Sequence, residues 1–184
     1  MWFDIKNTWP QHLLAAVIIS FAGWIYETLL FFVMYGGMYD RGFVTLPLCP
    51  IYGITVLAVY VLIGTPQRGG MLLNRMGSGG FRAVLYFVLA ALIPAAAELV
   101  GGEIMERLTG EVLWSYEMFA MRLGKYVCLE ISALWASASF FVMCFYEGFT
   151  ALLGKMNRRI LRRLALRICA LVFMDFTVNL LLRA

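Results

Sequence analysis

Three carboxylates, Glu27, Glu98 and Asp175, stand deep inside long apolar runs of the chain, and Glu106 lies near the outer interface, where it either joins them or is simply solvated. A charged side chain at the centre of a bilayer costs about 2.5–3.5 kcal/mol on insertion scales. A residue held there against that cost binds a cationic group, carries a proton, or pairs with a cation to lock helices together. Glu98, Gly102 and Glu106 are spaced i, i+4, i+8, which puts both acids on one helical face with a small residue between them. Gly102 leaves room there for another helix or a substrate. Pro94, one turn before Glu98, removes a backbone hydrogen bond and predicts a kink. Asp175 has Asn179 at i+4 as a local partner, and Arg41 is the nearest plausible cation for the acids as a group. Glu103, Glu111 and Glu117 read as solvated interfacial residues. Glu147 falls where it can reach a basic segment and form a structural pair.

Other chemistries leave no mark in the sequence. His12 is the only histidine, which argues against a bis-histidine haem or a histidine-rich metal site. Cys49, Cys128, Cys144 and Cys169 lack CxxC spacing and read as buried free thiols. The 11 methionines are scattered, as packing residues are, with no cluster resembling a copper pathway. GxxxxGK[ST], GxSxG and HExxH are all missing, so the chain is not an ATPase by that route and shows no hydrolase nucleophile. No cofactor is expected, and the identity of any metal is open.

The elements that must hold these acids follow from composition. Of 184 residues, 62% are hydrophobic and only 14% are charged, too few to clothe a soluble domain of this size. The class is therefore an all-α polytopic membrane bundle, a single transmembrane domain over 1–184. Five apolar segments, 12–35, 47–64, 82–107, 126–152 and 164–182, are the expected spans. The second is the shortest and opens with Pro47 and Pro50, as a broken or re-entrant element would. Period-2 alternation is absent, so a β-barrel is not expected. The first run has only Lys6 as an upstream positive charge and no small-x-small site after it, and reads as a retained span. Ser132, Ala133, Ala136, Ser137 and Ala138 make a small-residue surface for close helix packing. Trp2, Trp9 and Trp114 lie near expected interfaces.

The net charge of +4 does not point to nucleic acid, because the basic residues cluster in links between apolar runs. The Gly-rich stretch 65–81 carries Arg68 and Arg75, with Arg82 just beyond it, and reads as flexible. Residues 153–167 carry Lys155 and five arginines. The positive-inside rule places both in the cytoplasm, with the N-terminus inside and the C-terminus outside, in the plasma (inner) membrane. At about 1.5 Å rise per residue, Glu27 and Glu98 then lie about 5 Å outward of mid-bilayer and Asp175 about 3 Å outward.

A resemblance rests on "GWIYE" (23–27), "RGFVTLPLCPIYG" (41–53), "ELVGGEIME" (98–106), "WSYE" (114–117) and "GKYVCLEISALW" (124–135). In this order they resemble the bacterial membrane proteins described as putative ABC-transporter type IV, or CmpB-like permeases, over about residues 20–135. The human TMEM229 proteins look similar. The family usually reads Trp-Asp-Tyr-Ser where this chain has Trp114-Ser115-Tyr116-Glu117, so the acidic position is lost or moved by two. The resemblance implies transport. Together with the topology it marks Glu27, Arg41, Tyr52, Glu98, Glu106, Trp114, Tyr116 and Asp175 as candidates for a solute site. That site would be a polar chamber open to the outside and floored by Glu27 and Glu98, with Pro47 and Pro50 lining it.

The leading expectation is a permease-like transporter for a small solute or cation. It would sit in the lipid bilayer, with a homo-oligomer and a separate ATPase subunit as possible partners. The basic 153–167 segment would dock such a subunit or anionic lipid headgroups. The alternatives are a structural or regulatory membrane subunit, whose acids only set helix pairing, and an intramembrane enzyme acting on a lipid or quinone. An enzyme is not the expected reading.

Overall fold

The computed structural model describes residues 5–37, 43–73 and 80–183. Within them the chain forms five helices: α1 (Ile5–Tyr35), α2 (Pro50–Leu62), α3 (Gly80–Thr109), α4 (Leu129–Leu153) and α5 (Arg158–Arg183). A small hairpin, β1 (Arg122–Leu123) and β2 (Val127–Cys128), precedes α4. Four helices are long and apolar enough to cross a membrane: Thr8–Tyr35 of α1, and all of α3, α4 and α5. In lipid, backbone groups must be satisfied within the segment itself, which selects helix for such runs. The chain is an all-α, multi-pass membrane protein.

The second expected span differs. α2 has 13 residues, so it rises about 20 Å, short of the roughly 30 Å of hydrocarbon. Residues 43–49, ahead of it, are bent or extended rather than helical. Pro47 and Pro50 account for this: proline pushes the residue before it away from helical geometry, and it is tolerated in the first turn.

Surfaces are inverted relative to a soluble protein. Val33, Phe81, Phe173, Leu181 and Leu182 are among the most exposed side chains, whereas Ser20, Thr28, Thr55, Ser132 and Ser139 are buried. Glu98, 5% exposed, is the one charged residue in the buried class among the described residues.

The chain divides into two compact units, Met1–Ile54 with Gly148–Ala184, and Thr55–Glu147. α2 and α4 each begin in one and end in the other. In the first unit α1 and α5 run parallel. Near their starts the Arg162 guanidinium lies 6.0 Å from the Trp9 ring centroid. At the other end, the chain just past α1 meets the last turns of α5: Leu46 N–H donates to Asp175 Oδ2 (2.9 Å), and Asn179 Nδ2 donates to Thr45 Oγ1 (3.0 Å) and Asp175 Oδ1 (3.0 Å). From there the chain descends to the middle of α1, where Cys49 N–H reaches the Ser20 carbonyl (3.0 Å). Asp175 thus anchors the extended segment. Asp175→Ala should cost about 1–2 kcal/mol and speed amide exchange at Leu46, whereas Asp175→Asn, which keeps an acceptor, should cost less. Thermal unfolding and hydrogen exchange in detergent would check both.

In the second unit the described part of the Gly-rich link folds into a hydrogen-bonded turn. Gly70 N–H donates to Ile63 O (2.8 Å), Leu72 N–H to Leu62 O (2.8 Å) and Thr65 N–H to Arg68 O (2.8 Å). Glu147, late in α4, holds this turn through Thr65 Oγ1 (3.1 Å) and Arg68 (3.6 Å). That is the structural pair expected for it. All four cysteines are free.

Candidate functional site

In the second unit, α3 continues through Pro94 and brings Glu98 onto a buried face with Gly102 and Met105. Two donors from distant parts of the sequence converge on the same oxygen of Glu98. Tyr116 Oη donates to Oε1 at 2.8 Å, and Trp135 Nε1 donates to Oε1 at 2.8 Å. Tyr116 comes from the loop after α3, and Trp135 from the second turn of α4. A buried carboxylate is kept only where such donors replace the water it lost.

The hairpin builds the other half. Its strands pair antiparallel, with Arg122 opposite Cys128 and Leu123 opposite Val127. Gly124 turns the chain with φ +75°, in the left-handed region glycine enters without steric cost. Lys125 O then accepts Tyr116 N–H (2.8 Å), which fixes the loop carrying Tyr116. Lys125 Nζ bonds Glu106 Oε1 and Tyr126 Oη donates to Glu106 Oε2. The Glu106 hydrogen bond holds the Lys125 ammonium above the usual lysine range, so Lys125 stays charged at neutral pH. Burial first, and then Glu106, pushes the Tyr126 phenol up.

The Tyr126 ring lies directly on Gly102; a β-carbon there would sit 2.4 Å from the ring. The space at Gly102 is therefore filled by the chain's own tyrosine, not by another helix or an open substrate path. Trp114 stands edge-on to Tyr126, centroids 5.9 Å apart, and its Nε1–H is buried without a hydrogen-bond partner among the described residues.

A shallow cavity of about 390 Å³ opens beside this assembly, lined by Leu99, Glu103, Glu106, Arg107, Lys125 and Tyr126. Glu103, expected to be solvated, is exposed and pairs with Arg107 one turn on, at 3.1 Å.

In the first unit Glu27 lies on α1, half-buried, and accepts from Tyr52 Oη at 2.9 Å. The Tyr52 ring lies against Gly23, whose β-carbon would come within 2.5 Å of it. "GWIYE" and "CPIYG" therefore form one contact, with glycine making way for the ring and the ring delivering its hydroxyl to the acid. Tyr52→Phe should keep the packing and lose only that bond, at about 1–2 kcal/mol in thermal unfolding. Tyr52→Ala should cost clearly more.

Of the residues the sequence singled out, the structure joins Glu27 with Tyr52, Glu98 with Tyr116, and Trp114 with the Glu106 assembly through Tyr126. Asp175 has partners of its own in the extended segment and Asn179. Arg41 lies outside the described residues. Trp135, Lys125 and Tyr126 were not singled out, although all three fall inside the "GKYVCLEISALW" motif.

No curated protein and no solved structure matches the chain. The sequence model of the family described as Putative ABC-transporter type IV matches residues 14–180, nearly the whole of the chain, helices and hairpin together. The chain belongs to that family of ABC-transporter-type membrane proteins.

Proposed function

We propose that the chain is the membrane-embedded subunit of a transporter for a small cationic solute, and that Glu98 is the carboxylate that engages it. The observation that carries this is the buried Glu98, held at one oxygen by Tyr116 and Trp135. An ionisable side chain inside a span, with neutral donors placed to receive it, is by default a functional residue. The orphaned Trp114 N–H in the same unit supports the reading, since a buried donor without a partner calls for an explanation such as a ligand. Glu27, with Tyr52, is proposed as a second polar station within its own unit. Asp175 contributes by shaping the extended segment, and Arg41 remains a candidate partner for the acids. The family's description points to an ATP-driven complex, and without a phosphate-binding loop here a separate ATPase chain would supply the energy.

Topology supports a site that faces the outside. α1 and α5 are parallel, so an even number of crossings separates their starts. α1, α3 and α4 supply three. The extended segment with α2 would make the fourth, a broken crossing whose helix begins beside the middle of α1. Non-helical backbone at that depth is tolerated where protein or a cavity surrounds it. With the basic start of α5 in the cytoplasm, the N-terminus lies inside and the hairpin outside.

A second reading, that Glu98 is a structural clamp, draws on the same bonds, because they tie α3, the loop and α4 together. Purified protein in liposomes separates the two. Uptake of inorganic cations and small amines is compared between the wild type and Glu98→Gln. Transport by the wild type that falls with Glu98→Gln is the expected result. Equal uptake by both, alongside lowered stability, leaves the clamp alone.

A further inference from the structure

At the opposite end of the first unit from Asp175, the starts of α1 and α5 enclose a cavity of about 570 Å³ lined by Trp9, Pro10, Asn157, Arg158, Arg159 and Arg162. Among the described residues no carboxylate lines it. The Arg162 guanidinium lies over the Trp9 ring, a cation–π contact that holds its charge at the cavity wall. Leu161 and Ala165 face inward, and Leu166 and Phe173, which follow Arg162 at i+4 and i+11 on the cavity's side of α5, are exposed. Charge, an indole and bare apolar surface thus follow one another along one side of α5, which is the layering of a membrane–water boundary.

The geometry points to this cavity as a binding site for the phosphate headgroup of an anionic phospholipid. Its acyl chains would run down the apolar face of α5 below the arginines, past Leu166 and Phe173. Arginine forks match phosphate oxygens in pairs. A protein docking surface takes about 20–30 residues on each side, and six residues line this recess. A free phosphate would gain nothing from the aliphatic residues beside the arginines. Arg163 and Arg167 lie on the same helix but do not line the cavity, so they serve as an internal control for charge alone.

The test uses the full-length purified chain in a neutral detergent. Dioleoyl phosphatidylglycerol is titrated in, and the lipid bound to the protein peak is measured by mass spectrometry. Dioleoyl phosphatidylcholine and inorganic phosphate are the comparison probes. Phosphatidylglycerol should bind at least about 10-fold more tightly than phosphatidylcholine, and millimolar inorganic phosphate should not displace it. Arg159→Gln with Arg162→Gln should weaken it about 30-fold, as the loss of two arginine charges facing the headgroup implies. Arg163→Gln with Arg167→Gln should change it less than about 3-fold. Arg159→Lys with Arg162→Lys keeps the charge and should retain most of the binding, which guards against a glutamine pair that fails to fold. Equal losses in the two glutamine pairs would mean diffuse attraction, displacement by inorganic phosphate would mean a soluble anion, and full retention in the Arg159/Arg162 pair would assign those arginines to a protein partner. Each of these overturns the site. The readout involves no transport, so it stands or falls apart from the role of Glu98.

Discussion

Gly53→Ala is expected to be the most damaging single methyl that can be added to the first unit. A β-carbon at Gly53 would sit 2.3 Å from the carbonyl oxygen of Ala16 and 2.4 Å from Ser20 Oγ. The first obstacle is backbone of α1 and cannot rotate away. The second is already committed, because Ser20 Oγ donates to that same Ala16 carbonyl at 2.9 Å. Relief requires the start of α2 to move off α1. That would strain the Cys49 N–H bond to Ser20 O and draw the Tyr52 hydroxyl away from Glu27. Overpacking a well-filled contact costs about 1–3 kcal/mol, and more when backbone is the obstacle. A loss of about 3 kcal/mol is expected, read as a thermal shift in detergent and a fall in monodisperse yield. Gly148→Ala has open space around its β-carbon and should be near neutral, which makes it the control. A Gly53→Ala protein as stable as the wild type would show that α2 does not enter against α1 as described.

Four of the five helices could be read directly from the sequence, because a run of about 20 apolar residues has few other fates. α2 was legible only as an anomaly. Its length and Pro47 and Pro50 marked it, but where it begins against α1 depends on Gly23 and Gly53, and glycine alone does not say which neighbour approaches. The hairpin was invisible. Two-residue strands are too short to show alternation, and residues 122–125 read as a link with 126–128 as the edge of a span.

The candidate site was legible to the same degree. Glu98 announces itself, since a carboxylate in an apolar run is costly and therefore informative. Its partners do not. An indole at Trp135 in an apolar helix reads as packing until its N–H is seen to point at an oxygen. Glu106 and Lys125 are separated by the end of α3, a loop and the first strand of the hairpin, and no sequence spacing links them. Gly102 was read as vacant space because its absent side chain was visible and the ring that fills the gap was not.

Glu98→Gln and Glu98→Ala should part company, and the difference decides what the buried acid is for. Glutamine keeps a carbonyl oxygen where Tyr116 and Trp135 donate and removes only the charge. Hydrogen bonds to a neutral acceptor are weaker than those to a charged one, so a stability loss of about 1–2 kcal/mol is expected. Alanine strands both donors in a buried setting. Each unmet group costs about 1–3 kcal/mol, and together they should lower stability by about 2–6 kcal/mol. Transport should not follow that order. Truncating one partner of a buried charged contact costs about 2–5 kcal/mol in binding, so cation uptake should fall at least about 30-fold in Glu98→Gln, nearly as far as in Glu98→Ala. Tyr116→Phe and Trp135→Phe complete the argument. Each removes one donor and leaves the acid, so each should cost about 1–3 kcal/mol in stability while retaining measurable uptake. Uptake that tracks thermal stability across all four variants would make Glu98 a clamp. Uptake that collapses in the glutamine variant, the mildest structural change of the four, would make it the residue the solute meets.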